Sequence, residues 1–309
     1  MEFVHIPVLL NETIDGLNIK DGGTYVDCTL GGAGHSKVML SKANINLIGI
    51  DQDITAINVS KERLKEFGNK VTFVNDNFKN LSNILDNLGI EKIDGILADL
   101  GVSSYQIDTA SRGFSFRFDA PLDMRMNSEA PLTAYDVVNE YKEEDLKRIF
   151  KEFGEERFAG SIAKKIVIER KKQPIKTTKQ LETIILSAVP RYRGNDGSSN
   201  VQRTFQAIRI EVNHELDGLK EFIKSMAERL NVGGRLAIIS FHSLEDRIVK
   251  HAFKELATGC TCPSDFPICV CGNKPKVKII TNHPITATEE ELAINRRSGS
   301  AKLRVVEKI

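Results

Sequence analysis

The sequence predicts an α/β fold: a mostly parallel, doubly wound sheet interrupted by a helical insertion. Three observations point there. Short runs rich in Val and Ile alternate with polar, helix-favouring stretches through the first hundred residues. The rhythm stops near Ser104 and gives way to a charged helical pattern over 111–209. Strand character returns at 233–241, so the chain leaves one domain and later rejoins it. A length of 309 residues exceeds one ordinary domain. It accommodates a discontinuous domain over 1–110 and 210–309 with an inserted one over 111–209.

The first strand candidates are 24–29 (TYVDCT), 46–51 (NLIGID), 71–76 (VTFVND) and 93–100 (IDGILADL). Helices are expected between them, over 36–42, 53–67 and 79–88. Parallel neighbours need long crossovers, so this alternation implies a sheet covered on both faces. Over 203–230, Phe205, Ile208, Val212, Leu216, Leu219, Ile223, Met226 and Leu230 recur every three or four residues. That spacing predicts one long amphipathic stretch. After 233–241 come a cysteine-rich loop and two more strand candidates, 276–280 and 302–308.

Composition narrows the class. Hydrophobic residues at 41% and charged residues at 28% exclude disordered, collagenous and coiled-coil chains. No apolar run approaches the ~18 residues that span a bilayer. The start, MEFVHIPVLL, lacks the basic region of a secretory leader, so a cytoplasmic protein without a membrane partner is expected. The net charge of +1 conceals an asymmetry: 111–209 carries 19 basic and 14 acidic residues, the remainder 24 basic and 28 acidic. Balances of +5 and −4 suggest an acidic domain carrying a basic module.

Ligands of open parallel sheets bind beyond the carboxyl ends of the strands. There the first strand runs into Gly31-Gly32-Ala33-Gly34-His35-Ser36, a turn leading into a helix. A P-loop would end Gly-Lys-Ser/Thr, which this turn does not. A GxGxxG started at Gly32 would need glycine at Lys37. S-adenosylmethionine remains, since it needs a turn and an acid without pyrophosphate contacts. Asp51 ends the second strand and suits ribose hydroxyls, with a cap of the next helix by Asp51 or Asp53 as the alternative. The third strand ends Asn75-Asp76-Asn77-Phe78, suited to adenine, and the fourth ends at Asp99.

The blocks HIPVLLNETIDGL, GGAGHS, DLGVSS, RGFSF, PLDMRM, GEERFA, RTFQAIRIEVN, GGRLAIISFHSLEDRIVK and SAKLRV resemble the ribosomal RNA small subunit methyltransferase H family over about 5–308. The resemblance implies a class I S-adenosylmethionine-dependent methyltransferase fold: Rossmann-like, mostly parallel, with an inserted helical substrate-recognition domain. It implies an enzyme that methylates N4 of a cytidine in the decoding region of small-subunit rRNA. Carried over, the cofactor would meet Ala33, Gly34 and His35, with Asp51 at the ribose, Phe78 at the adenine, and Asp99 and Gln106 near the methionine end. Ala33 replaces the family's usual glycine and is expected to fit only at negative φ. The Asn295-Arg-Arg-Ser-Gly-Ser segment also departs from the usual Pro-containing form.

Cytosine N4 is a weak nucleophile, helped by an acceptor for its amino hydrogen and by alignment with the methyl donor. C5 methylation would need a cysteine, and the loop after the fourth strand has none. The acceptor candidate is Asp123, with Asp99 and Asp119 as rivals and an Asp123–Arg125 pair as the structural alternative. His242 follows the fifth strand and could contact the base or take a proton, or serve structure alone. Ser243 and Asp246 read as a helix cap. Phe114, Phe116 and Phe118 interleave with Arg112 and Arg117, suiting stacked bases and phosphate, or else forming a short edge strand.

Residues 164–179 hold seven basic side chains and one acid, which with Arg191, Arg193 and Arg203 suggest an RNA-facing surface. Cys260, Cys262, Cys269 and Cys271 form CxC-x6-CxC; zinc is one reading, reduced thiols or disulfides the other, and no metal is assigned. The expected partner is small-subunit rRNA or the small subunit, not DNA, and the oligomeric state is left open. An assembly factor that binds cofactor and RNA without turnover is the competing class.

Overall fold

The computed structural model describes residues 7–190, 196–262, 268 and 270–309. His5, Arg191, Arg193 and Cys269 therefore lie outside the described residues. The chain forms two compact units, Met1–Gly101 with Gly218–Ile309, and Val102–Asp217.

The first unit is built on seven strands: β1 (Thr24–Asp27), β2 (Asn46–Asp51), β3 (Val71–Asn75), β4 (Ile93–Asp99), β5 (Leu230–Ser240), β6 (Val277–Ile279) and β7 (Lys302–Lys308). They pair in the order β3-β2-β1-β4-β5-β7-β6. The β3-β2-β1-β4-β5 block is parallel, and β7 runs antiparallel to both its neighbours. This is the α/β methyltransferase architecture that the sequence predicts. Strand order reverses between β1 and β4, the point in such sheets where ligands bind beyond the carboxyl ends.

Side chains alternate across the sheet as period two demands. Val26, Ile48, Ile50, Ile96, Leu236, Ile238 and Val306 enter one core with the helices Leu81–Asn87, Leu219–Arg229 and Ser243–Ala257. Tyr25, Leu47, Leu97, Ala237, Ile239 and Val305 enter the other, with Leu10–Leu17, Gly34–Lys42 and Ile54–Arg63. Both faces are thus covered, which explains why the strands read as continuous apolar runs.

The second unit contains the helices Ser104–Asp108, Ala134–Glu140, Glu143–Glu152, Ala159–Arg170, Thr178–Ala188 and Ser198–Asn213 around its own core, including Leu146, Phe150, Ile162, Leu181, Ile185 and Ile208. Capping boxes at Thr133/Asp136 and Thr177/Gln180 fix two helix starts. The unit begins at Val102 because the 110–112 turn is tied into it: the Arg112 guanidinium donates to the carbonyls of Arg125 and Met126 at 2.7 and 3.0 Å.

Two local expectations are corrected. The amphipathic stretch over 203–230 is not continuous: Ser198–Asn213 stops at His214 and Leu219–Arg229 starts after Gly218, both in left-handed conformation. The apolar period survives the break because each helix faces a core of its own. The RGFSFRF segment is not a strand. Phe114 and Phe116 pack on the helical core, with the Phe116 ring edge-on to Phe205 at 5.4 Å, while Phe118 remains exposed. No helix among the described residues is long and apolar enough to cross a membrane.

Candidate active site at the carboxyl edge of the sheet

Four strand ends of the first unit bring carboxylates to one edge. Asp27 ends β1 and accepts from the Ser36 hydroxyl at 2.6 Å and the Thr29 amide at 3.1 Å. Asp51 ends β2; its two oxygens accept from the amides of Gly31 at 2.8 Å and Asp53 at 2.9 Å. The carboxylate therefore fixes the glycine turn. Asp53 caps the helix Ile54–Arg63 by accepting from the Thr55 amide. Capping thus falls to Asp53, which leaves Asp51 at the edge.

These acids are buried, and burial opposes charge. It pushes Asp27 to about 6 against the pull of Ser36 and Thr29. Asp51 rises to about 6 for the same reason, despite its two amide donors. Asp99 is also raised, well above the ordinary carboxylate range, by burial and then by the charges of Asp27 and Glu245. Its amide donates to Thr29 Oγ1 at 2.7 Å, but its own Oδ1 is buried without a hydrogen-bond partner. An orphaned buried carboxylate oxygen is costly unless a ligand completes it. A ligand with cationic donors fits this edge. S-adenosylmethionine carries an ammonium and a sulfonium, so the residues present suit the expected cofactor.

The glycine turn departs from expectation in one respect. Ala33 sits at φ 58° and ψ 25°, left-handed, rather than at the negative φ expected of it. The turn tolerates this because Ala33 is buried and its carbonyl accepts from Lys37 in the following helix. Gly34 is required for another reason: a Cβ there would lie 2.3 Å from Pro7 Cγ. His35 faces away from solvent, with Nε2 3.0 Å from the Val8 carbonyl, so the ring donates there and ties the turn to the N-terminal segment.

On the neighbouring strand end, Asp76 accepts from the Asn77 amide and the Asn80 side chain at 2.6 and 2.8 Å. Phe78 is half-buried, its ring edge-on to Phe222 at 4.9 Å, which anchors one side of the ring in the core. His242, not Ser243, is the cap of the helix Ser243–Ala257: its Nδ1 accepts from the Glu245 amide at 3.4 Å. The capping pattern is offset by one residue from the Ser243/Asp246 expectation, because Asp246 is engaged by Arg304 at 2.6 Å. His242 Nε2 lies 3.2 Å from Glu245 Oε1, within ion-pair range but without hydrogen-bond alignment. Asp27 and Glu245 were not singled out in the sequence. The signal for Glu245 was its place three residues after a cap; Asp27 had only its position at a strand end.

The second unit holds the other two candidates. Gln106 is buried and completes a capping box with Ser103, donating its amide to Ser103 Oγ at 3.2 Å and accepting the Ser103 amide at 3.1 Å. Asp123 is bound by Arg125 through both oxygens, at 3.0 and 2.7 Å, and accepts the Arg125 amide at 2.9 Å. Burial alone would raise its pKa, but the Arg125 bonds and the Arg125 and Arg112 charges hold it below the ordinary value. It is an ionised hydrogen-bond acceptor rather than a proton acceptor.

The whole-chain comparisons give the family. The MraW methylase family matches residues 2–309. A "Ribosomal RNA small subunit methyltransferase H" of Clostridium botulinum (strain Loch Maree / Type A3) is 60% identical, covering 100% of both chains. A protein of that name from Clostridioides difficile (strain 630) is 54% identical over the same coverage. "Ribosomal RNA small subunit methyltransferase H 2" of Agathobacter rectalis is 55% identical, covering 100% of this chain and 99% of its own. A family match that runs across both units, over a sheet edge suited to a cationic donor, places this chain in the MraW methylase family, as an enzyme that uses S-adenosylmethionine.

Proposed function

We propose that the chain transfers a methyl group from S-adenosylmethionine to N4 of a cytidine in the decoding region of small-subunit rRNA. The observation that carries the reading is the buried Asp99 Oδ1 without a partner, at the strand end where the sheet order reverses. When bound, the cofactor supplies a methyl group activated by its sulfonium. The turn Ala33-Gly34-His35 contributes backbone contact, Asp51 accepts from ribose hydroxyls, Phe78 packs on the adenine, and Asp99 with Gln106 receives the methionine end.

The ionised Asp123 accepts from the cytosine amino group, and the His242–Glu245 pair takes the released proton. The inserted helical domain over 111–209, with its excess of basic residues, faces RNA. A cytidine must leave its stack to be methylated, and the exposed Phe118 is suited to hold its neighbours. The partner is the small subunit, and the enzyme acts in the cytoplasm. Whole-chain identity to the named rRNA methyltransferases favours this substrate over DNA or free nucleosides.

The test offers purified enzyme labelled S-adenosylmethionine with small subunits lacking the modification, naked rRNA, and DNA. Label at cytosine N4 of the subunit or its rRNA is expected. Labelled DNA, or labelled C5, would overturn the assignment.

A further inference from the structure

We propose that Cys260, Cys262 and Cys271 bind a zinc ion as thiolates, clipping together the loop between the helix Ser243–Ala257 and β6. This site stands apart from the methyl-transfer chemistry and does not rest on it. The three sulfurs all lie within 4.8 Å of one another. The Cys260 and Cys271 sulfurs are 3.7 Å apart. A disulfide would require about 2.0 Å. A tetrahedron with zinc–sulfur bonds of about 2.3 Å has an edge of about 3.8 Å. The observed separation, which also allows a thiol–thiol hydrogen bond, matches that of two ligands on one ion.

The backbone around the sulfurs is arranged for charge. Cys262 Sγ accepts from the amides of Val270 and Cys271, both at 3.3 Å, and Cys271 Sγ accepts from Thr261 at 3.4 Å. A neutral thiol is a weak acceptor, whereas a thiolate is stabilised by such donors. Three thiolates on a divalent ion leave one negative charge, with Lys274, Lys276 and Lys278 following in the chain. The fourth position of the tetrahedron remains for a further donor.

Among the described residues, the loop is held at its neck. Its neck is closed by the Lys276 amide on the Leu256 carbonyl at 2.8 Å, and by Asn273 Nδ2 on the carbonyls of Thr258 and Gly259 at 3.1 and 2.8 Å. Beyond the neck, Ile268 and Val270 are 74% and 73% exposed, so neither side chain is anchored in an apolar core. A cross-link made by a metal adds a constraint there, because ion binding is then also folding energy for the loop.

The experiment uses the full chain, purified under reducing conditions, loaded with zinc and dialysed against a weak chelator. About one zinc per chain is expected by elemental analysis, falling at least ~10-fold in Cys260→Ser, Cys262→Ser and Cys271→Ser but not in Cys28→Ala. Circular dichroism checks that the variants fold. Cobalt loading of the unaltered protein needs no variant: tetrahedral d–d bands with sulfur-to-cobalt charge transfer are expected. Failure to retain metal, or a cobalt spectrum without sulfur charge transfer, overturns the site.

Discussion

The two units treat their carboxylates in opposite ways. In the helical unit, buried and partly buried acids meet guanidinium groups: Asp123 with Arg125, Glu156 with Arg203, Glu215 with Arg209. In the sheet unit, Asp27 and Asp51 are held by amides and a hydroxyl, and Asp99 Oδ1 by no partner among the described residues. Yet the same edge shows that pairing was available, since Asp246 is held by Arg304. A buried carboxylate oxygen left uncompensated at a strand end marks where a cationic ligand is expected.

The sharpest break of this contrast is Asp99→Asn. We expect S-adenosylmethionine binding to weaken by about 10–100-fold, the loss of a charged hydrogen-bond partner. Methyl transfer should fall with it, while the ligand-free chain melts at the same or a higher temperature because an uncompensated buried acid is gone. Titration calorimetry and thermal unfolding measure the two; a lower melting temperature with unchanged binding would assign Asp99 to the scaffold.

The converse change is Glu156→Gln in the helical unit. Glu156 is fully buried and accepts from Asn200, Arg203 and the Phe158 amide. Breaking a buried pair costs about 3–5 kcal/mol. Arg203 is 37% exposed and can rehydrate, so we expect about 2 kcal/mol here, read by urea unfolding. Cofactor affinity should not change.

The contrast also has a pH signature. Asp27 and Asp51 are raised from 3.8 to about 6, so between those values the folded state holds more protons than the unfolded one. Stability of the ligand-free protein should therefore fall as pH rises from about 4 to about 6, and recover on acidification through that window. The paired Asp123 and Asp246 have lowered pKa values and withdraw their stabilisation only below it. Urea midpoints at pH 4.5 and 7 test this, and Asp27→Asn should flatten the difference.

The smallest expected effect is at Ala33. A left-handed alanine costs about 1 kcal/mol relative to glycine, so Ala33→Gly should raise stability by about that amount. A fall in melting temperature would mean that the methyl's packing outweighs the backbone strain.

Much of the sheet unit was legible before any coordinates. Ile48 and Ile50 beside Leu47 announce a strand buried on both faces, and Asp51 and Asp99 announce the acids at the carboxyl edge of the sheet. The turn around Ala33 was legible as a turn but not in its conformation, because φ depends on what the following helix and Pro7 demand. The cap at His242 was missed by one residue, since histidine is an unusual cap and Asp246 already had Arg304. The break at 214–218 was invisible to periodicity, because two helices facing different cores can share one apolar rhythm.

By itself the sequence determined the strand order in the chain, the position of the insertion and the identities of the acids at the strand ends. These follow from local pattern: period two, period 3.6 and the residues that stop them. Only the tertiary structure decided which acids are neutralised. Whether a carboxylate meets Arg125, an amide or no partner depends on residues brought together by packing, and burial then sets the energy of leaving it alone.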